Sequence, residues 1–174
     1  VDSLDAWHYV FNDTLGYFGL KTLSKKEFKK GFGSPIEHDM KNYYVGKTIK
    51  EIAGLYDTSF KKRKSLVKLF PQSKRALINL KKLNIKLGLL TNSTKPITMM
   101  ILNKFKIKKY FNVILTMEDV KRRKPDPEMV LKACKLLKVK PRNTILVGDS
   151  INDMIAGRKA KCITTSIPPK TLPR

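Results

Sequence analysis

Long apolar runs are missing from this sequence of 174 residues, and none approaches the roughly 20 residues that a membrane-spanning helix requires. The N-terminal residues also lack the basic and apolar regions of a secretory signal peptide. These absences predict a chain with no membrane partner and favour the cytoplasm as its location. Cysteine is scarce too. Cys134 and Cys162 fall inside apolar helix and strand patterns, which predicts buried thiols rather than a metal-binding pair.

Acidic residues are few: 14 Asp and Glu face 37 Lys and Arg, for a net charge of +23. Basic runs at residues 61–64 and 121–124 are compatible with nucleic-acid binding. However, lysines are spread through nearly every segment, and the sequence has no recognisable nucleic-acid-binding motif. We therefore expect the lysines to solvate the surface and to attract anionic substrates in general, without specific binding of nucleic acid.

The first third of the chain has helical patterns and few β-branched runs. Apolar residues recur at helical spacing over residues 4–15, and Ser24 with Glu27 forms a capping-box pattern at the start of the next helix. Further helical patterns cover residues 25–30, 36–44 and 48–66. We expect these segments to form a small helical bundle, a domain of residues 1–67.

From residue 68 onward, strand and helix patterns alternate. The expected strands cover residues 85–90, 111–115, 144–147 and 162–167. One intervening helix has Pro96 at its first position, and another begins after Asp126 as cap with Pro127 next. Alternation of this kind predicts an α/β fold with a Rossmann-like parallel sheet over residues 68–174. The last seven residues contain three prolines and are expected to be irregular.

Two carboxylates follow the apolar run of residues 144–147, at Asp149 and Asp153. Ligand sites in open α/β sheets lie beyond the carboxyl ends of the strands. Paired acids at such a place repel each other, so a cation or a lysine between them best explains the pattern. The spacing alone leaves both explanations open.

Two further segments carry groups suited to phosphate. Thr91-Asn92-Ser93 places a hydroxyl and successive backbone amides between a strand and a helix N-terminus, which favours either a phosphate cradle or simple helix capping. Lys124 precedes a turn stiffened by Pro125 and Pro127, which would present its ammonium group to a phosphoryl oxygen.

Together, Leu89-Leu90-Thr91-Asn92, Lys124-Pro125-Asp126-Pro127 and Val147-Gly148-Asp149-Ser150-Ile151-Asn152-Asp153 resemble motifs two, three and four of the haloacid dehalogenase superfamily. In that family a helical cap lies between the first strand and motif two, which is where the bundle falls. Gly31-Phe32-Gly33-Ser34-Pro35 is similar to the cap loop of phosphoglycolate phosphatase-like members. The resemblance implies a Mg²⁺-dependent phosphatase of a small phosphorylated metabolite, phosphoglycolate-like or a sugar phosphate.

The resemblance also implies a role for each matching residue. Thr91 and the Asn92 amide would hold the phosphate, and Lys124 would offset its charge. Asp149 would bind Mg²⁺, and Asp153 would either support the metal or orient Lys124.

Two alternatives concern the reaction itself. The β-phosphoglucomutase branch typically carries a glutamate at the position of Gly148, so the glycine favours a phosphatase, with mutase-like phosphoryl transfer as the alternative. The family's first motif, Asp-x-Asp-Gly-Thr-Leu, is not in the sequence, and its first aspartate is the nucleophile. Val1-Asp2-Ser3 resembles the residues that follow it, and Asp2 is not expected to replace the nucleophile.

The resemblance therefore implies a core lacking its first strand and a printed chain that is inactive. A gene start placed at an internal GUG codon would explain this. The alternative is a short, non-catalytic remnant that acts as a binding module.

Overall fold

The structure is a computed structural model that describes residues 1–167; the proline-containing tail predicted to be irregular lies outside the described residues. Four helices come first: α1 (Leu4–Tyr17), α2 (Lys25–Gly31), α3 (Ile36–Asn42) and α4 (Ile49–Arg63). The α/β part then runs as α5 (Ser73–Lys82), β1 (Gly88–Leu90), α6 (Lys95–Lys104), β2 (Val113–Leu115), α7 (Glu128–Leu137), β3 (Ile145–Gly148), α8 (Ile151–Lys159) and β4 (Ile163–Ser166). Among these described residues, no helix is both long enough and apolar enough to cross a membrane.

The helical bundle is held together by aromatic packing between α1 and α4. The ring of Trp7 meets that of Tyr56 edge-on, with centroids 5.5 Å apart, and also contacts Phe60. Capping boxes fix where two helices begin: Ser24 with Glu27 starts α2, as predicted, and Thr48 with Glu51 starts α4. Each box satisfies backbone N–H groups that the first turn leaves unpaired.

The four strands form two parallel pairs. β1 pairs with β2, with Leu90 opposite Leu115, and β3 pairs with β4, with Gly148 opposite Ser166. Within the described residues, the two pairs share no backbone hydrogen bonds with each other. The edge of β1 away from β2 and the edge of β3 away from β4 are therefore both unpaired.

Helices cover both faces of the β1–β2 pair. Leu89 packs into a cluster with Leu102 of α6, whereas the adjacent Leu90 faces Met129 and Ala133 of α7. This alternation follows from the two-residue period of a strand. The α/β fold with a Rossmann-like core and a helical cap, predicted from the sequence, is thus confirmed.

Cys134 and Cys162 lie in the cluster that joins α7 and α8 to Leu90 of β1 and Leu146 of β3. Cys134 is buried and Cys162 is half-buried. Burial, with the nearby Cys134, raises the pKa of the Cys162 thiol to about 11. The Cys162 thiol is therefore protonated at neutral pH.

Several element boundaries differ from the sequence prediction; β2, for example, is Val113–Leu115 rather than residues 111–115. The first strand is Gly88–Leu90 rather than residues 85–90, because Asn84 adopts a positive φ of 55° where the chain leaves α5. Helix α6 begins one residue before Pro96, after Thr94 as cap. Helix α7 begins at Glu128 with Pro127 as its N-cap residue, so Asp126 is not the cap. Its carboxylate nevertheless accepts the Glu128 N–H at 2.9 Å.

Candidate active site

A cavity of about 470 Å³ lies between the helical bundle and the carboxyl ends of β1 and β3. Its volume is in the range of small-molecule sites. The five residues singled out from the sequence all line it: Thr91, Asn92, Lys124, Asp149 and Asp153. Segments up to 62 positions apart in the chain therefore meet at one place, as expected for strand ends of a parallel sheet.

Lys124 is fixed at the base of this cavity by two oxygen atoms. Its Nζ donates to Oδ1 of Asp153 at 2.7 Å and to the carbonyl oxygen of Leu90 at 2.9 Å. Burial by itself raises the pKa of Asp153, but the charge of Lys124 and the hydrogen bonds from Lys124 and Ser150 outweigh burial and lower this pKa. The two side chains therefore form a buried ion pair.

The second carboxylate oxygen of Asp153 is also engaged. Its Oδ2 accepts from the backbone N–H of Ser150 at 3.2 Å and from the Ser150 hydroxyl at 2.6 Å, a capping box at the start of α8. Because both oxygens have protein donors, this geometry favours the orienting role over direct metal binding. The metal role of Asp153 stays a prediction.

Asp149 is the free carboxylate of the site. It follows β3 directly and is exposed to the cavity. In the described part of the chain, no three His, Cys, Asp or Glu side chains cluster as a complete metal site. One available carboxylate nonetheless fits Mg²⁺, which is commonly held by one or two carboxylates while water and phosphate oxygens complete its shell.

Asn92 holds the lysine loop against the end of β1. Its side-chain Nδ2 donates to the carbonyl oxygen of Lys124 at 2.9 Å, and its Oδ1 accepts the Lys124 N–H at 3.1 Å. The sequence indicated a role only for the Asn92 backbone amide, and this side-chain clamp was not predicted. Order in the sequence does not show that residues 92 and 124 lie side by side, so no local signal could have revealed it.

The sequence left open whether the hydroxyl groups of this segment bind phosphate or cap the helix. Thr94 caps α6, accepting the N–H of Ile97. Thr91 is not the cap; its Oγ1 accepts the N–H of Ser93 at 3.1 Å and retains its own proton for donation. The geometry thus leaves Thr91 with a hydroxyl facing the cavity.

Gly148 is required by the position of Asp153. A Cβ atom at residue 148 would lie closer than 3.0 Å to the Cβ, Cγ and Oδ2 atoms of Asp153. Any larger side chain would displace the carboxylate that holds Lys124. The sequence analysis treated this glycine only as a family marker.

The bundle side of the cavity is largely aromatic, and its one acid is Asp39 on α3. Tyr56 donates its hydroxyl proton to Oδ2 of Asp39 at 3.1 Å, and the Nδ1 atom of His38 lies 3.4 Å from Oδ1. Burial raises the pKa of Asp39 to about 6, against the opposing effect of these two contacts. Asp39 belongs to no motif, so the sequence analysis missed it.

Three contacts attach the bundle to the core around this cavity. Glu37 of α3 pairs with Arg123, next to Lys124, and Asp57 of α4 accepts the hydroxyl proton of Thr94. The side chain of Asn152 donates to the carbonyl oxygen of Gly33 at 3.2 Å. Each contact joins the bundle to a core residue that lies close in sequence to a predicted site residue: Arg123 to Lys124, Thr94 to Asn92 and Asn152 to Asp153.

A helical cap over the carboxyl ends of parallel strands is the architecture of capped α/β enzymes that enclose a small ligand. Residues 1–167 match the family model of the haloacid dehalogenase-like hydrolases, so the chain belongs to that family and is a hydrolase.

Among curated relatives, it is 28% identical over 157 residues to a pyrophosphatase PpaX of Oceanobacillus iheyensis, covering 90% of this chain and 73% of that protein. The Bacillus mycoides pyrophosphatase PpaX is 29% identical over 144 residues, covering 82% of this chain and 67% of the relative.

Solved structures share the fold at lower identity. CbbY from Rhodobacter sphaeroides, in complex with phosphate, superposes with a TM-score of 0.83 at 19% identity, covering 97% of this chain and 81% of that one. A β-phosphoglucomutase from Clostridium difficile gives a TM-score of 0.75 at 24% identity, with 94% and 77% covered.

Proposed function

We propose that this protein hydrolyses small phosphate monoesters in a Mg²⁺-dependent reaction that proceeds through an aspartyl-phosphate. One observation carries the proposal: donors suited to phosphate, on Thr91 and Lys124, share a cavity with the free carboxylate of Asp149. Membership of a hydrolase family supports the same class of reaction. The pyrophosphatase names of the relatives also support phosphorus–oxygen bond cleavage.

In the proposed reaction, the Thr91 hydroxyl and the Asn92 backbone amide bind phosphoryl oxygens near the N-terminus of α6. Lys124, held in place by Asp153, offsets negative charge on the phosphoryl group during its transfer. Asp149 would hold Mg²⁺, which when bound supplies positive charge beside the phosphate. Asp153 acts through Lys124, by fixing the position of its ammonium group.

We propose that the nucleophilic aspartate belongs to a strand that precedes Val1. Two features support this: β1 and β3 each have one unpaired edge in the described residues, and Val1 lines the cavity near Asp149. The nucleotides upstream of the Val1 codon test the idea. Translation in frame should give an apolar run ending in Asp-x-Asp-Gly-Thr-Leu, whereas a stop codon would contradict it.

Residues 1–67 form the proposed cap domain and residues 68–174 the proposed core. Cap and core approach each other at the ion pair of Glu37 with Arg123, beside Lys124. We propose that the cap closes over the substrate through this contact and excludes water from the transferring phosphate.

Gly148 supports hydrolysis over mutase-like transfer. The mutase branch of the family typically carries a glutamate at this position, and the Gly148 site leaves no room for a Cβ atom beside Asp153. A glutamate here would displace the partner of Lys124.

The test uses protein expressed from the complete open reading frame. With Mg²⁺ it should hydrolyse p-nitrophenyl phosphate, and excess EDTA should abolish the reaction. Asp149→Asn should lower kcat/KM by about 10²-fold or more, the size seen when one electrostatic group is removed. The matched control is Asp126→Asn, because that carboxylate pairs with Arg122 at 3.2 Å and does not line the cavity.

A fully active Asp149→Asn variant would contradict the assigned site. A full-length protein that hydrolyses no phosphate ester would leave the non-catalytic binding module as the function.

A further inference from the structure

The charges around the cavity are the reverse of those in the chain as a whole. The sequence has 37 basic and 14 acidic residues. Among the described side chains that line the cavity, however, Asp39, Asp149 and Asp153 are acids, and Lys124 is the one Lys, Arg or His. That lysine is already paired with Asp153. Three acids against one base is the reverse of the ratio in the whole sequence.

Two of the three acids, Asp149 and Asp153, lie in the core half of the cavity, and the proposed reaction explains both. Asp153 neutralises Lys124, and Asp149 is placed to hold a cation. Asp39, by contrast, lies on the cap side, where the hydroxyl groups that line the cavity belong to Ser3, Ser34, Tyr43 and Tyr56.

The apolar part of the cap half is formed by aromatic and aliphatic side chains: Trp7, Phe11, Leu23, Phe28, Phe32 and Ile36. Two other basic side chains, Arg123 and His38, are close to it. Arg123 is paired with Glu37 and does not line the cavity, and His38 contacts Asp39 from the side away from Tyr56. No basic side chain of the described residues is therefore available in the cap half to receive an anion.

We infer that Asp39 is a specificity-determining residue, and that the enzyme acts on phosphate esters whose leaving group is uncharged and carries a hydroxyl. This inference rests on the proposed function. A hydroxyl donates a proton to the Asp39 carboxylate, while the aromatic side chains bury the carbon skeleton. A second carboxylate or phosphate in the same place meets a like charge with no base to offset it.

The inferred substrate differs from pyrophosphate, after which the curated relatives are named, and from phosphoglycolate, which the sequence resemblance implied. Pyrophosphate has a leaving group that is itself a phosphate, and phosphoglycolate has one that ends in a carboxylate. Both place an anion where Asp39 lies. At pH 8 Asp39 is ionised, since its pKa is raised only to about 6.

The experiment compares two substrates that differ in one group. 2-Hydroxyethyl phosphate and 2-phosphoglycolate have the same length, with a hydroxymethyl group in the first and a carboxylate in the second. The full-length protein is assayed with Mg²⁺ at pH 8. We expect kcat/KM for 2-hydroxyethyl phosphate to exceed that for phosphoglycolate by about tenfold or more, as expected for unscreened like charges within a cavity.

Asp39→Asn tests the residue directly, because asparagine keeps the size and the Tyr56 acceptor but removes the charge. We expect the ratio of the two kcat/KM values to fall toward one, chiefly through faster hydrolysis of phosphoglycolate. A merely structural role would lower both values together and leave the ratio unchanged. The control is Asp13→Asn, whose carboxylate pairs with Arg63 outside the cavity and should not alter the ratio.

Preference for phosphoglycolate or pyrophosphate by the wild-type protein would overturn the inference and leave the proposed function intact. A ratio that Asp39→Asn does not change would remove Asp39 as its cause. Failure to hydrolyse either ester, or p-nitrophenyl phosphate, would overturn the proposed function and this inference with it.

Discussion

The ammonium group of Lys124 lies 2.7 Å from Oδ1 of Asp153, and each of the two side chains is only 10% exposed. An ion pair this well buried is stable only while both partners are present, because an unpaired buried charge keeps its desolvation cost without compensation. The pair also joins the loop after β2 to the start of α8. It therefore links the stability of the core to the geometry of the site.

Replacing Lys124 with methionine should lower the free energy of unfolding at pH 7 by about 3 kcal/mol, the cost of leaving one buried charge alone. Urea denaturation of the full-length protein, followed by circular dichroism, measures this. Lys121→Met is the surface control and should change stability by less than about 0.5 kcal/mol. Equal effects of the two variants would show that the pair contributes nothing.

In the Lys124→Met variant, the effect of pH on the stability that Asp153 contributes should be opposite to that in the wild type. In the wild type the pKa of Asp153 is lowered, so its contribution to stability is present above the unfolded pKa of about 3.9 and is lost as pH falls through the lower folded pKa. In Lys124→Met, burial dominates and raises this pKa, so the variant gains stability as Asp153 takes up a proton. The stability gap between the two proteins should narrow from pH 7 to pH 4. A constant gap would contradict the account.

Asp39→Asn should stabilise the protein at pH 8 by up to about 3 kcal/mol, the equivalent of two pKa units. A carboxyl whose folded pKa is raised contributes stability below its unfolded pKa, and that contribution is lost as pH rises through about 6. The gain should therefore disappear near pH 4. His38 also contacts Asp39, so thermal denaturation should be repeated in His38→Gln to separate the two groups. Equal stability of wild type and Asp39→Asn at pH 8 would show that Asp39 is not strained by burial.

Gly157→Ala and Gly54→Ala form a matched pair of helix substitutions. A Cβ atom at residue 157 would lie closer than 3.0 Å to side-chain carbons of Thr164 and Leu146, so α8 could not pack against β3 and β4. We expect a loss of about 1–3 kcal/mol from this overpacking. At Gly54 nothing lies within 4 Å, and alanine should stabilise α4 by about 0.5–1 kcal/mol. Thermal denaturation should separate the two variants in opposite directions.

Thiol chemistry should be slow in the folded protein. Cys134 is buried, and the raised pKa of Cys162, about 11, leaves little thiolate at neutral pH. We expect iodoacetamide to modify both cysteines much more slowly under native conditions than in 6 M guanidinium, as counted by mass spectrometry. Rapid native modification of Cys162 would mean that α8 and β4 open readily.

Much of the fold could be predicted from the sequence because its signals are local. The capping box of Ser24 and Glu27 and the alternation of apolar patterns after residue 68 both reflect contacts between neighbours in the chain. The site residues Thr91 and Asp149 could be predicted for the same reason, because each follows an apolar strand pattern. Boundaries were less accurate: β1 is shorter than its apolar run, since Asn84 turns the chain before the sheet begins.

The missed features depend on contacts between distant segments. The Asn92 side chain clamps a backbone 32 residues away, and Asp39 owes its raised pKa to burial, which outweighs the hydrogen bond from Tyr56. Asn92 was assigned only a backbone role, and Asp39 has no pattern around it at all. Periodicity describes one element at a time, so it cannot show which side chains two elements bring together.

The most direct measurement is a crystal structure of the full-length protein soaked with Mn²⁺ and inorganic phosphate, using anomalous scattering to locate the metal. The account predicts a single Mn²⁺ bound to the carboxylate of Asp149, with the phosphate within hydrogen-bonding distance of Thr91 Oγ1 and Lys124 Nζ. Metal or phosphate bound elsewhere, with this cavity holding neither, would contradict it.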